Sequence, residues 1–312
     1  MTKVEKQNKF LFYIKGYSAK FLLRESLEKK ISTLSKTLSK KDLDVAEYRV
    51  AYYNKLSGKH NFEKSGTKIK DLQNPKSPKS YYFDTYEYAK YFDPNLLIDF
   101  TFGDVDKILS FPMITKSRPI DGNNENNVLL NLDKARHFVK IVDPRDFESK
   151  SDKLIGRAAV HQQHRIDFFK IYFEHPICDL GQVNKKGGDS KWLKPKISIH
   201  EHLKNKFILS LEGNDVATNL KWIMCSNSLA ISPKLKMETW YMEGTLIPNQ
   251  HYVQIADDYS DLEERMQYYL DHPNEAKLII DAAKEFRTKF NNKKLEDLIS
   301  LLVLKKYFDI VV

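Results

Sequence analysis

Short apolar runs near residues 154–160, 207–211, 228–232 and 251–255 alternate with stretches of helical periodicity, the pattern expected of a parallel α/β sheet. The most informative stretch runs from Phe207 to Trp222. Phe207 to Leu211 reads as a short buried strand and Gly213 permits a tight turn. Asn214 or Asp215 then suits the N-cap of a helix carrying Val216, Leu220 and Ile223. The first-turn N–H groups of such a helix, with the positive end of its dipole, would hold a phosphate or diphosphate. His251 to Ile255 reads as the last strand. A helix with capping-box spacing at Ser260 and Glu263 follows it, and a second helix opens at Pro273 and continues through Leu278, Ile279, Ala282 and Phe286.

The first half mixes element types. Lys64 to Ser80, with Gly66, Pro75 and Pro78, is loop-like; Tyr81 to Phe92 has helical character; Leu96 to Phe102 reads as a strand ending at Gly103-Asp104. Asp121 to Asn127 is a polar loop. The apolar pattern is interrupted at residues 143–152, which places a division there. The expected organisation is therefore an N-terminal domain over 1–148, a C-terminal domain over 149–290 and a helical tail, 291–312, apolar enough to pack back on the body.

Composition narrows the class. With 312 residues, 41% apolar and 30% charged, the chain can bury a sizeable core and is long enough for two domains. No apolar run reaches the ~18 residues of a membrane span, and the first residues lack the apolar core of a signal peptide, so a cytoplasmic location is expected. Two cysteines, Cys178 and Cys225, lie in separate segments without metal-ligand spacing and read as buried thiols.

Charge changes the picture at one end. Residues 1–41 hold eleven Lys/Arg against three acids, a net +8 of the chain's formal +9. Within this segment Leu27, Ile31, Leu34 and Leu38 fall at helical spacing, which predicts a basic helix with one apolar stripe. Three readings stand together: a core-packed helix with a solvated lysine face, a surface that meets anionic lipid or an acidic saccharide, and a nucleic-acid surface. No nucleic-acid-binding motif accompanies the charge.

Several motifs together resemble glycosyltransferase family 90: Lys116 to Ile120, Leu130 to Phe138, Arg157 with Arg165, Asp179-Leu-Gly181, Glu212 to Trp222, and His251-Tyr-Val with Ser260-Asp-Leu262. The resemblance spans roughly residues 95–290 and is closest to the bacterial lipopolysaccharide or lipooligosaccharide core hexosyltransferases. It implies an α/β, GT-B architecture of two Rossmann-like domains and inverting transfer of a hexose from a UDP-sugar without a metal.

Carried over residue by residue, the resemblance gives Arg157 the diphosphate contact, although Gly156 and Ala158 depart from the family's aromatic-Arg-Gly motif. Asn214, Asp215, Val216, Ala217, Thr218 and Asn219 match the segment that wraps the nucleotide, with Gly213 at the turn before it as a further donor contact. Asn219 stands where the family has arginine, a charge that Lys221 or Arg165 would replace. Asp104 falls on the catalytic base. Lys116, Ser117 and Arg118 correspond to a substrate loop, and Glu238 and Glu243 to a loop near the donor sugar. Asp104-Val-Asp106 also reads as the metal-binding DxD element of GT-A enzymes, and His161 with His164 as a metal pair; no metal is the expectation carried forward.

The expected activity is transfer of glucose or galactose to a core sugar, with heptose the acceptor sugar. The partners are a UDP-hexose, the lipopolysaccharide or lipooligosaccharide core and the anionic inner-membrane surface, with peripheral attachment there and no nucleic acid. A non-catalytic nucleotide-sugar-binding or assembly protein of the same fold is the alternative, motivated by Gly156 and Asn219.

Overall fold

The computed structural model describes residues 2–5, 8–18, 25–59 and 66–311. Lys6, Lys20 and Arg24 of the basic segment, and Lys64 and Ser65 of the expected loop, lie outside the described residues. The structure is mixed α/β with a parallel sheet, and by contact the chain falls into two units, each drawn from several segments. A sheet unit takes residues 1–6, 137–235 and 245–289; a helix-rich unit takes 7–136, 236–244 and 290–312. The sequence pattern marked one division near residue 148, whereas the chain passes from unit to unit repeatedly. The tail expected over 291–312 belongs to the helix-rich unit.

That unit opens with α1 (Lys9–Ser18), α2 (Leu27–Ser35), α3 (Lys40–Tyr53) and α4 (Lys79–Ala89). The expected basic helix is α2, capped by Ser26, and Leu34 is its buried contact. Ser39 and Asp42 form a reciprocal capping box on α3, satisfying N–H groups that a helix start leaves without partners. The strand expected over Leu96 to Phe102 is split in two. Its second part, β1 (Phe100–Thr101), joins β2 (Met113–Thr115) and β4 (Asn127–Leu129) in a parallel sheet of order β1-β2-β4. Between them, β3 (Ser117–Pro119) departs to pair elsewhere.

The sheet unit is built on β5 (Ser151–Ala158), β6 (Cys178–Gln182), β7 (Asn205–Leu209) and β8 (Leu229–Ser232). The helix α5 (Gln163–Tyr172) follows β5, and α6 (Leu220–Ile223) follows β7. The chain then visits the helix-rich unit as β9 (Met237–Thr239), antiparallel to β3, and returns as β10 (Val253–Gln254), α7 (Leu262–Asp271) and α8 (Pro273–Thr288). It ends in the helix-rich unit as α9 (Lys293–Ile310), packed against α2, α3 and α4. Ser260 does not cap α7; it bonds Asp258 instead, and Asp261 occupies the N-cap.

All pairings in the main sheet are parallel, in the order β6-β5-β7-β8-β10. Leu154, Leu180, Phe207, Leu209, Ile231 and Val253 form a continuous core with Phe168 and Phe169 of α5 and Leu262, Met266, Ile279 and Ile280 of α7 and α8. Close packing also explains Gly156, where the related motif has an aromatic residue. A Cβ at that position would already stand 3.1 Å from both Leu180 and Leu209, so the space is filled from the neighbouring strands.

Candidate active site

Counted within the sheet unit, the strand order is 2-1-3-4-5, so the connections leave β5 and β7 in opposite directions across the sheet. Such a switch point leaves a crevice beyond the carboxyl ends of the two strands, where open α/β sheets bind ligands. Here the loop after β5 and the loop after β7 meet at Arg165, which sits in the first turn of α5. Its Nε donates to Glu212 O at 2.8 Å, Nη1 to Ala159 O at 2.8 Å and Nη2 to Leu211 O at 2.7 Å. Burial pushes its pKa down to about 10, which still leaves it charged at neutral pH. Gly213 lies against this guanidinium: a Cβ there would be 3.4 Å from Nη2. Gln162 Nε2 donates to Asn214 Oδ1 at 3.0 Å, joining the same two loops.

A third loop, after β6, completes this end of the sheet and was not singled out in the sequence. Val160 N donates to Asn184 Oδ1 at 2.6 Å, and Gln182 Nε2 donates to the carbonyls of Asn184 and Gly187, each at 2.8 Å. Gly187 and Gly188 have φ of +83° and +64°, and a Cβ on Gly188 would overlap the Gln182 amide. Lys185 and Lys186 are exposed beside them. The signal was the Lys-Lys-Gly-Gly run itself, since paired glycines after a polar strand end mark a turn only glycine can make.

One expectation about the donor segment needs correction. The segment from Gly213 to Asn219 is not helical; the helix that follows is the four-residue α6, too short to present a macrodipole at Asn214. Asp215, Val216 and Ala217 are all buried, three successive inward side chains that a one-faced helix does not allow, and Thr218 is half-buried. Asn219 and Lys221 are both turned into the protein. The Asn219 amide donates to Leu209 O at 2.8 Å and so holds the end of β7, and Lys221 is 1% exposed.

Arg157 is also engaged within the protein. Its Nη2 lies 3.0 and 3.2 Å from the two carboxylate oxygens of Asp179, and Nη1 donates to the carbonyls of Gly156 and Asp179. Burial works to raise the Asp179 pKa, but the hydrogen bond from Lys194 and the charges of Arg157 and Lys194 hold it below the usual carboxylate range. His161 and His164 do not face a shared ligand position. His161 Nε2 is 3.0 Å from the Gln162 amide, and His164 Nε2 is 2.8 Å from Glu212 O.

In the helix-rich unit, Asp104 follows β1 across Gly103, whose φ of +107° makes the turn. Its side chain is one-third exposed, and Lys116, 2% exposed at the end of β2, places Nζ 2.5 Å from Asp104 Oδ1. Ser117 pins the same turn, its Oγ accepting from Val105 N at 3.0 Å and donating to Val105 O at 3.2 Å. A carboxylate is thus presented at the carboxyl edge of a parallel sheet, oriented from beneath by a buried ammonium. Asp106 is exposed two residues on.

The remaining expected sugar contacts are interior. Arg118 Nε bonds Glu238 Oε1 at 2.8 Å, and its other nitrogens donate to the carbonyls of Tyr52, Tyr53 and Asn127. The Tyr52 hydroxyl donates to the second Glu238 oxygen; burial, reinforced by that carboxylate, pushes the phenol pKa far up. Glu243 accepts from Thr239 N at 2.6 Å and from Thr239 Oγ1 at 2.9 Å, and is 2% exposed. Ser117, Arg118, Glu238 and Glu243 therefore hold the β3–β9 ribbon to its surroundings.

Comparison with known proteins finds sugar-transferring enzymes. A family model described as glycosyl transferase family 90 matches residues 156–311; Asp104 lies outside that span. The O-glucosyltransferase LpsA of Dichelobacter nodosus is 42% identical over 265 residues, covering 85% of this chain and 83% of that protein. Protein O-glucosyltransferase 2 of Danio rerio is 31% identical over 147 residues, 45% of this chain and 29% of its own length. With a family match over half its length and an extended relative at this identity, the chain belongs to glycosyltransferase family 90.

Proposed function

We propose that the protein is an inverting hexosyltransferase of the GT-B type that moves glucose or galactose from its UDP donor to a core sugar, heptose, of lipopolysaccharide or lipooligosaccharide at the inner face of the cytoplasmic membrane. The observation that carries the reading is Asp104, part-exposed at the carboxyl edge of β1 and held by the buried Lys116 at 2.5 Å. Inverting transfer needs one base to take the acceptor hydroxyl's proton as that oxygen attacks the anomeric carbon. A positioned carboxylate does this and contributes on the order of 10²–10⁴ in rate. The departing diphosphate needs a fixed positive group, and Arg165 at the switch point, bonded to three carbonyls, is one whose geometry is set before substrate arrives. Both relatives are named O-glucosyltransferases, which supports transfer of a glucosyl group to an acceptor oxygen.

The pairing of Asp104 with Lys116 also favours metal-independent transfer over the DxD reading, because an ammonium against Oδ1 opposes a divalent cation at the same carboxylate. The deciding experiment is UDP release from UDP-glucose and UDP-galactose with a truncated lipooligosaccharide acceptor in EDTA, comparing the native chain with Asp104→Asn. Acceptor-dependent turnover lost in the variant is the expected result. A variant as active as the native chain would remove Asp104 as the base.

A further inference from the structure

The helix α1 is apolar on two opposite sides. One side is docked on α4: the Phe12 ring meets Phe83 edge-on at 6.2 Å and the Tyr17 ring meets it at 4.9 Å. Gly16 permits this approach, since a Cβ there would stand 2.6 Å from the Phe83 ring. The other side carries Phe10, Leu11 and Ile14, which are 72%, 60% and 47% exposed. Phe10 and Leu11 lie four and three residues before Ile14, so the three exposed apolar positions share one face of the helix rather than being scattered. A helix apolar on both sides needs a second apolar medium, and a contiguous exposed patch of this kind marks an interaction surface.

Charge identifies the medium. The sequence of α1 contains Lys9 and Lys15 and no acid, within a segment of residues 1–41 that holds eleven basic residues against three acidic ones. At the edge of the stripe, Lys79 Nζ donates to the Tyr17 hydroxyl at 3.0 Å, which places a cation beside the apolar surface. Aromatic and aliphatic side chains flanked by lysines match an interface in which an apolar layer lies just beneath negative charge. That is an anionic phospholipid leaflet, into which amphipathic helices of this type bury one face parallel to the surface. The docking on Phe83 leaves the outward stripe accessible, so lipid engagement needs no rearrangement of the helix.

We infer that α1 is the membrane-docking element of this protein, inserting Phe10, Leu11 and Ile14 into an anionic leaflet. The inference rests on the membrane-side acceptor in the reading above and names the element that would bring the enzyme there. The sequence pattern had directed attention to the lysines of α2 instead, where Lys29 is exposed and Lys30 lies over the Tyr91 ring. On α2 the apolar stripe buries Leu34; on α1 Phe10, Leu11 and Ile14 stay exposed.

The test is sedimentation of the full chain with vesicles of phosphatidylglycerol and phosphatidylethanolamine, and with vesicles of phosphatidylcholine alone. The native chain should partition onto the anionic vesicles and release in high salt. The double variant Phe10→Ser, Ile14→Ser should lose about tenfold in partitioning, with its thermal unfolding little changed because both side chains are exposed. Phe10→Trp should show a blue-shifted emission on the anionic vesicles. Unchanged partitioning of the double variant overturns the proposal, as does a native chain that binds neither vesicle. Loss in the double variant of self-association seen without lipid also overturns it, in favour of a second copy as the occupant. Vesicle binding is read without donor or acceptor, so a chain that binds lipid yet transfers no sugar sinks only the transferase reading.

Discussion

Arg118 Nε lies 2.8 Å from Glu238 Oε1, and the two side chains are 0% and 2% exposed. They are aligned by the antiparallel pairing of β3 with β9, in which Arg118 stands opposite Glu238. Breaking a buried ion pair from one side leaves the other charge without compensation. Glu238→Gln should therefore destabilise the protein by about 3–5 kcal/mol, read as a lower urea midpoint. A normal midpoint with a raised KM for the donor would return Glu238 to the sugar site.

Asp104→Asn should lower kcat by on the order of 10²–10⁴ while UDP affinity, measured by calorimetry, stays at the native value. The two readouts separate proton transfer from donor binding. A parallel loss of UDP affinity would argue that the turn after β1 had collapsed.

Activity should persist in EDTA. Lys116 already holds Asp104 Oδ1, so a divalent ion would have to displace a buried ammonium to bind there. Activity abolished by EDTA and restored by manganese would show that Asp104 and Asp106 form a metal site after all.

Arg165→Met should weaken UDP binding by about 10-fold to 100-fold, the loss of one charge-assisted contact of roughly 1.5–3 kcal/mol. The same substitution removes the guanidinium's hydrogen bonds to the carbonyls of Ala159, Leu211 and Glu212, so a lower melting temperature should accompany it. Arg157→Met, by contrast, should change stability more than UDP affinity, because its guanidinium already meets Asp179.

Both cysteines should react slowly with iodoacetamide at pH 8. Burial pushes the Cys178 thiol up to about 12 and raises Cys225 as well, so neither is a thiolate at that pH. The sign follows from desolvation, which disfavours the charged form and moves a thiol upward. Rapid labelling of the folded chain would contradict it.

The regions legible in the sequence were those whose pattern is local. Four of the five parallel strands lie within a few residues of apolar runs, and Pro273 does open α8. The missed strand, β6, reads Cys-Asp-Leu-Gly-Gln, with Leu180 as its sole strongly apolar residue. It is a strand because β5 lies beside it, not because of its own pattern. The helix expected from Asn214 failed for a related reason: Val216, Leu220 and Ile223 have helical spacing, but burial of Asp215 and Ala217 beside Val216 requires an irregular path. Within the candidate site, Asp104 and Arg165 could be nominated from residue type and position. Which arginines and glutamates were already committed to each other could not, since Arg118 and Glu238 are 120 residues apart.

The division of the helix-rich unit among three segments bears on how the chain is made. Tyr53 is stacked at 3.9 Å on Trp240 and α3 packs on α9, so the unit's earlier segments find their partners only after the intervening residues 137–235 have been made. In N-to-C synthesis α2, α3 and α4 must therefore wait with apolar surface uncovered until α9 has emerged. Removing α9 should therefore leave those three helices without their cover, and that is where chaperone dependence should concentrate.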